Sequence, residues 1–235
     1  MEGEVGGGAG PAGRRLPVVA DAYGRALAPL DGWSAAVSAA HPGVVPCRAG
    51  CSACCHGPFD ISAADAVLIA RALGRLAPEA RAEVAARARR LVGKARALSP
   101  GWGPPFAIRD IGEDRFDALG EALADEPCPL LDDEGRCRIY VDRPLVCRLI
   151  GLPMATPAGR VLENDCPIQA RFPAYAALPP QPFDLEALEE DEVRAIGEAA
   201  DALFGEGGPL RAHGPGGPGY ETFIAALVTL LAGEA

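Results

Sequence analysis

Residues 47–57 read CRAGCSACCHG and hold four of the chain's eight cysteines within nine positions. The first three cysteines have the spacing C-x3-C-x2-C, and the fourth directly follows the third as a Cys-Cys doublet. In extended backbone, the side chains of consecutive residues point to opposite faces. Two adjacent cysteines therefore do not easily ligate one tetrahedral ion. The doublet favours two nearby metal centres, or one multinuclear cluster, over a single isolated site.

The other four cysteines follow a long segment with helical sequence patterns, and their spacing is C-x8-C-x9-C-x18-C. We expect the intervening helices to bring the two groups together. Eight thiolates could supply two complete four-thiolate shells, for zinc or for iron–sulfur clusters. The candidate metal ligands are Cys47, Cys51, Cys54, Cys55, Cys128, Cys137, Cys147 and Cys166. His56 follows the doublet and could be a ligand, but a single histidine beside four cysteines is more often an outer hydrogen-bond donor or an incidental residue.

The redox state of the cellular compartment determines whether the cysteines are more often metal ligands or form disulfides. The first residues, MEGEVGGGAGPAGRR, include two acidic residues and no apolar stretch, which is not typical of a secretory signal. The longest apolar run, 223–232, is shorter than the roughly 20 residues that a membrane span needs. We therefore expect a cytoplasmic protein without a membrane partner, whose thiols stay reduced. Under these conditions metal binding is favoured over a disulfide framework.

The charge pattern restricts the partners. A net charge of −10 argues against broad nucleic-acid binding, which leaves a basic footprint. All but one of the 22 basic residues are arginines, and together with the abundant Ala, Gly and Pro this is typical of a GC-rich bacterial genome. Arginines next to the cysteines could offset the negative charge of a thiolate site, or they could be ordinary surface residues. They are Arg48, Arg136, Arg138, Arg143 and Arg148.

The remaining patterns predict a mainly α fold, with helices packed around an irregular cysteine-rich metal-binding core and one or two short hairpins. Ser62 with Asp65 three residues later predicts a capped helix start, and Pro78 predicts the start of the next helix, paired with the first as an αα-hairpin. Turns are predicted at 132–135 and 156–159. Near the start of a helix over about 184–204, acidic residues are expected on a solvated face: Glu186, Glu189, Glu190, Asp191 and Glu192.

The predicted organisation has three parts. Residues 1–13 are expected to be a disordered Gly-rich tail. Residues 14–170 form the predicted cysteine-cluster domain, with a helical insertion over about 62–124, and 171–235 form a helical extension.

Three segments together carry a resemblance: CRAGCSACC, then CPLLDDEGRCRIY, then RPLVCR with a final Cys before Pro. They resemble the cysteine-cluster proteins of the YkgJ type, described as zinc- or iron-chelating domains and often labelled Fe–S oxidoreductases. The resemblance covers Cys47 to Cys166, and all eight cysteines have places in the family pattern, with a first spacing of x3 rather than the commoner x2. It implies a ligand role for all eight and leaves the activity open.

The sequence thus predicts a metal-binding protein that holds iron–sulfur clusters or zinc through eight thiolates, with a redox or structural role. Iron–sulfur is preferred because of the doublet and the number of cysteines. One alternative is a cluster-dependent enzyme. The triad resembles that of radical S-adenosylmethionine proteins, although Ala53 stands where an aromatic is usual and no βα alternation follows. Similar clusters in flagellin lysine methylases suggest cluster-assisted methyl transfer. The other alternative is a metal carrier that passes its metal to a client protein. A redox protein would instead act with a protein redox partner.

Overall fold

The protein's structure, a computed structural model, describes residues 11–162, 166–204 and 221–233. These residues are mainly helical, with a few short strands, which confirms the predicted fold class. The α-helices are α1 (Pro11–Ala40), α2 (Ala63–Arg75), α3 (Pro78–Leu98), α4 (Glu113–Ala122), α5 (Leu145–Leu149), α6 (Pro173–Ala176), α7 (Leu185–Phe204) and α8 (Ile224–Leu231). The strands are β1 (Asp60–Ser62), β2 (Met154–Ala155), β3 (Val161–Leu162), β4 (Gln181–Pro182) and β5 (Glu221–Phe223).

Helix α2 lies at the centre of the fold. Its start is capped as predicted, because the Ser62 hydroxyl accepts the Asp65 N–H at 3.2 Å. Every residue from Ala63 to Ile69 is buried, which requires protein on both sides of the helix. One face, including Val67, packs with α1 and α7, and the other, including Ile69, packs into a larger core with α3 and α8.

Helix α3 begins at Pro78 as predicted, and it packs mainly on α8 rather than on α2. The predicted αα-hairpin is therefore wrong: α2 and α3 share a core, but α8 occupies the position expected for α2. The apolar face of α3 is buried, except that Leu98 at its end is 49% exposed. The first five residues of α8, Ile224 to Val228, are all apolar and buried in this core.

Two small sheets complete the fold. Strands β1 and β5 are antiparallel, with Ile61 opposite Thr222. Strands β2 and β3 form a hairpin, in which Thr156 N–H donates to the Arg160 carbonyl at 2.8 Å, and β4 lies parallel to β2. The predicted turn at 156–159 is thereby confirmed. The described ranges contain no alternating βα barrel of the kind that a radical S-adenosylmethionine enzyme would use.

The described residues include parts of the predicted tail and of the predicted extension. Helix α1 begins at Pro11, three residues inside the predicted tail 1–13, because proline suits a first helical position. Residues 1–10, the rest of that tail, lie outside the described part of the chain. Helices α7 and α8 of the predicted extension supply residues to both large cores. No helix among the residues described combines the length and apolar content that crossing a membrane needs.

Candidate metal centre

The cysteines that are far apart in sequence meet at one cavity. All eight carry free thiols. Seven line a cavity of about 110 Å³, and these are Cys47, Cys51, Cys54, Cys55, Cys128, Cys137 and Cys147. Cys166 does not line the cavity but packs with Cys47 in a small apolar cluster beside it. The expectation that the helices bring the two cysteine groups together agrees with this placement.

The thiols share this cavity without forming a closed coordination shell. Over 11–162, 166–204 and 221–233, no three His, Cys, Asp or Glu side chains are already arranged as a group that could hold a metal ion. Thiolate sites assemble together with the metal, because binding and local folding are coupled. The donor set nevertheless suits zinc or iron–sulfur chemistry, since soft thiolates select these metals.

Two turns shape the first cysteine segment. Cys51 N–H donates to the Arg48 carbonyl at 2.9 Å, and Cys55 N–H donates to the Ser52 carbonyl at 3.0 Å. Each turn reverses the chain, so that successive cysteines reach the same cavity. Gly50 is the third residue of the first turn and has a φ of 91°, a backbone conformation that residues with a side chain rarely adopt.

The second segment joins the first through the backbone. Cys128 N–H donates to the Cys55 carbonyl at 2.9 Å. After Cys128 the chain folds back at the predicted 132–135 turn, where Asp132 N–H donates to the Arg136 carbonyl at 2.9 Å. Leu131 and Cys137 form the antiparallel bridge of this hairpin. The hairpin therefore places Cys137 close to Cys128 at the cavity.

Cys147 is positioned through a buried carboxylate that the sequence suggested only as a capping residue. It lies on α5, whose first N–H, that of Leu145, donates to Asp65 Oδ1 at 2.8 Å. The Tyr23 hydroxyl donates to the same oxygen at 3.3 Å. Burial, and then the nearby Glu192 charge, raise the pKa of Asp65 to about 7, although these hydrogen bonds oppose the shift. Asp65 thus connects α1 and α2 to the helix of Cys147.

Cys47 lies against Tyr175 and Gly151. Its Sγ lies 3.5 Å from the Tyr175 hydroxyl oxygen, and that hydroxyl donates to the Gly151 carbonyl. A Cβ added at Gly151 would lie 2.5 Å from the Cys47 sulfur, and Gly151 has a φ of 118°. No pattern in the sequence signalled Tyr175 or Gly151, because their roles depend on contacts between distant segments.

Burial keeps most of the thiols protonated. It raises the pKa of Cys47 to about 11 and that of Cys128 to about 12, and it also raises the pKa values of Cys137 and Cys147. Metal binding at these thiols would release protons.

The doublet behaves differently from the other thiols. A hydrogen bond from the Cys55 thiol lowers the pKa of Cys54 to about 7 and raises the pKa of Cys55. This hydrogen bond therefore favours the thiolate form of Cys54.

Only some of the arginines that the sequence singled out reach the cavity. Arg48, Arg143 and Arg148 line it. The Arg148 side chain is 4% exposed and pairs with Asp31 of α1, which also pairs with Arg143 at 3.4 Å. No cysteine-related motif in the sequence of α1 pointed to Asp31.

The other two arginines serve local ion pairs. Arg136 pairs with Asp132 at 2.9 Å, and Arg138 pairs with Glu83 at 2.6 Å. Neither lines the cavity. The prediction that they offset thiolate charge receives no support from these contacts.

One acidic residue departs from the expected solvated face. Glu192 Oε1 accepts a hydrogen bond from the Ser62 hydroxyl at 2.7 Å, and burial raises the pKa of Glu192. It therefore faces α2 rather than water. His56, by contrast, is exposed and does not line the cavity, so the structure gives it no place among the thiols.

The rest of the cavity wall is largely apolar, with side chains such as Phe59, Leu130, Ile139 and Ile224. An apolar wall lowers the local dielectric constant and limits the access of solvent to the thiols. This surface sets the environment of any metal held there.

Comparison with known proteins gave one match. The model of the CxxCxxCC family, described as a "putative zinc- or iron-chelating domain", matches residues 46–167, which is more than half of the chain and includes all eight cysteines. No curated protein and no solved structure matches the chain.

Replacing Asp65 with Asn should weaken the pH dependence of stability. Asp65 has its pKa raised from 3.8 to about 7 in the folded protein, so the folded state binds more protons than the unfolded state between these values. Its contribution to stability is full below about pH 4 and is lost as the pH rises through about 7. Asp65→Asn retains an acceptor for Leu145 N–H without the titration. We expect its free energy of unfolding, from urea denaturation, to fall less between about pH 5 and 8 than that of wild type.

Two neighbouring groups need to be separated from this effect. Glu192, whose pKa is also raised by burial, faces Asp65 from α7, and Arg148 lowers the pKa of Asp65 from α5. Glu192→Gln therefore serves as the companion variant. Identical pH profiles for wild type and Asp65→Asn would contradict the assignment.

Gly151→Ala should disturb Cys47 directly. The new Cβ would approach the Cys47 sulfur to 2.5 Å, whereas a Cβ at Gly159, which also has a positive φ of 85°, meets nothing within 4 Å. Gly159→Ala is therefore a matched control that costs only the backbone strain of about 1–2 kcal/mol. We expect a larger fall in melting temperature for Gly151→Ala, together with faster alkylation of Cys47. Equal effects of the two substitutions would show that the close approach has no consequence.

Proposed function

Because this chain belongs to the CxxCxxCC family, we propose that it is a metal-binding protein that holds iron–sulfur clusters, or otherwise zinc, through its eight cysteine thiolates. The observation that carries the proposal is the convergence of seven cysteines from three separate segments on one cavity, with the eighth beside it. A bound metal would supply a redox or structural centre. The chain's own residues supply the thiolate ligands, the apolar enclosure and the arginine charges.

The contacts around the thiols support a defined site rather than scattered small hydrophobic residues. The backbone bond from Cys128 to Cys55 joins the two halves of the ligand set, and the Asp65 carboxylate fixes the start of the helix that carries Cys147. A buried carboxylate is costly unless such bonds compensate it. Its presence beside the cavity favours a role in holding a ligand segment in place.

The enclosure favours iron–sulfur over zinc. The wall combines apolar side chains such as Leu130 and Ile224 with guanidinium groups from Arg143 and Arg148. Solvent exclusion, hydrogen bonds and nearby charge are the means by which proteins tune the potential of a cluster. A purely structural zinc site needs only its closed ligand shell.

The identity of the metal can be tested directly. We expect the protein, purified anaerobically, to be coloured, with a visible absorption band, iron and acid-labile sulfide in similar amounts. Metal analysis and the visible spectrum measure this. A colourless protein with stoichiometric zinc and no acid-labile sulfide would contradict the iron–sulfur assignment and retain the thiolate site. A protein that takes up neither metal would contradict the site itself.

Removal of a ligand should release metal and destabilise the cavity. We expect Cys54→Ser and Cys147→Ser each to lose about half of the bound metal or more and to melt at a lower temperature, because metal binding and local folding are coupled. His56→Ala is the matched control, since His56 adjoins the doublet but is exposed outside the cavity. Full metal content and an unchanged melting temperature in a cysteine variant would remove that residue from the ligand set.

A further inference from the structure

We propose that the eight thiolates divide into two four-thiolate centres, separated between the adjacent residues Cys54 and Cys55. The first set is Cys47, Cys51, Cys54 and Cys166. The second set is Cys55, Cys128, Cys137 and Cys147. This inference rests on the proposed thiolate site. It adds that each chain holds two centres, and it states which thiolates belong to each centre.

Hydrogen bonding and packing group the second set. Cys128 N–H donates to the Cys55 carbonyl, and the hairpin bridge at Leu131 and Cys137 folds the Cys137 strand back over the segment that begins at Cys128. Cys55, Cys128 and Cys137 all contact the larger core formed by α2, α3 and α8. These three sulfurs therefore belong to one side of the cavity.

The first set packs in a different apolar cluster. Cys47 and Cys166 share a small cluster with Tyr175 and Leu152, apart from the larger core. The Cys47 sulfur lies 3.5 Å from the Tyr175 hydroxyl oxygen. Cys51 lines a surface groove with Ile168, two residues after Cys166, which places it on the same side.

The mutual influence of the thiols agrees with this grouping. Burial raises the pKa of Cys47 most, and the hydrogen bond with Tyr175 lowers it. The charges that raise this pKa further are those of Cys166, Cys51 and Cys54. These are the other members of the first set. Such charge effects fall off with distance, so they agree with the packing of Cys166 beside Cys47 in one apolar cluster.

Cys147 shows the corresponding neighbours of the second set. After burial, its pKa is raised most by the charge of Cys128, then by those of Asp65 and Cys137, and last by that of Cys54. Cys54 therefore lies at the boundary between the sets. Its hydrogen bond with Cys55 marks the contact between the two proposed centres.

Arginines lie on both sides of this boundary. Arg48 directly follows Cys47 in the first set, and the Arg143 charge lowers the pKa of Cys137 in the second, against the larger effect of burial. A divalent ion in four thiolates leaves an excess of two negative charges, which nearby guanidinium groups offset. Two adjacent centres need this compensation more than one.

The division can be tested with zinc as the probe, on the full chain freed of metal and kept reduced. After zinc loading and removal of excess metal, we expect two zinc ions per wild-type chain and one per chain in Cys166→Ala and in Cys137→Ala. Alkylation followed by peptide mass spectrometry then identifies the protected thiols. Cys166→Ala should protect only the second set, and Cys137→Ala only the first. His56→Ala should behave as wild type.

A measurement on wild type does not depend on the folding of a variant. At half loading with zinc, intact-mass analysis after alkylation should reveal chains with four labels, besides those with none and eight. Chains with only none or eight labels would overturn the division into two sets. Loss of all zinc from both folded cysteine variants would overturn it as well, while leaving the eight-thiolate site intact. If wild type binds no zinc and protects no thiol, this inference is overturned, whereas the proposed function fails only if the anaerobically purified protein holds no iron either.

Discussion

The Asp65 carboxylate is enclosed by protein at the centre of the fold, where it accepts hydrogen bonds from the Leu145 N–H and the Tyr23 hydroxyl. A buried carboxylate is costly to ionise, and Glu192 nearby adds to that cost. The hydrogen bonds recover part of it only while α1, α2 and the start of α5 hold their positions. The placement of Cys147 therefore depends on the packing of helices that themselves carry no cysteine, and the helical layers and the thiol cavity form one structure.

Local features of this arrangement could be predicted from the sequence because each depends on a few neighbouring residues. Ser62 caps α2, Pro78 opens α3, and the turns at 132–135 and 156–159 close hairpins. The convergence of the cysteines could be anticipated from their chemistry. The partner of α3 could not be predicted, because an apolar stripe on a helix does not identify the helix that packs against it. Proximity in sequence suggested α2, but α3 packs mainly on α8.

The missed site residues share one cause. Asp65, Glu192, Asp31 and Tyr175 lie far in sequence from the cysteines that they influence. Asp65 and Glu192 fitted ordinary roles, at a helix start and on a helix face, which hid their burial. A buried polar residue is informative only when its burial is known. The sequence could signal it only indirectly, as an acidic residue inside an otherwise apolar stretch such as AADAVLIA.

The charge balance of the cavity follows from unequal exposure of the ion pairs around it. Arg148 is almost fully enclosed, whereas the side chain of its partner Asp31 is 46% exposed to water. Water therefore screens the Asp31 charge more than the charge of Arg148, whose side chain lines the thiol cavity. A buried cation beside a thiol favours the thiolate form, so the guanidinium of Arg148 opposes the effect by which burial keeps the thiols protonated.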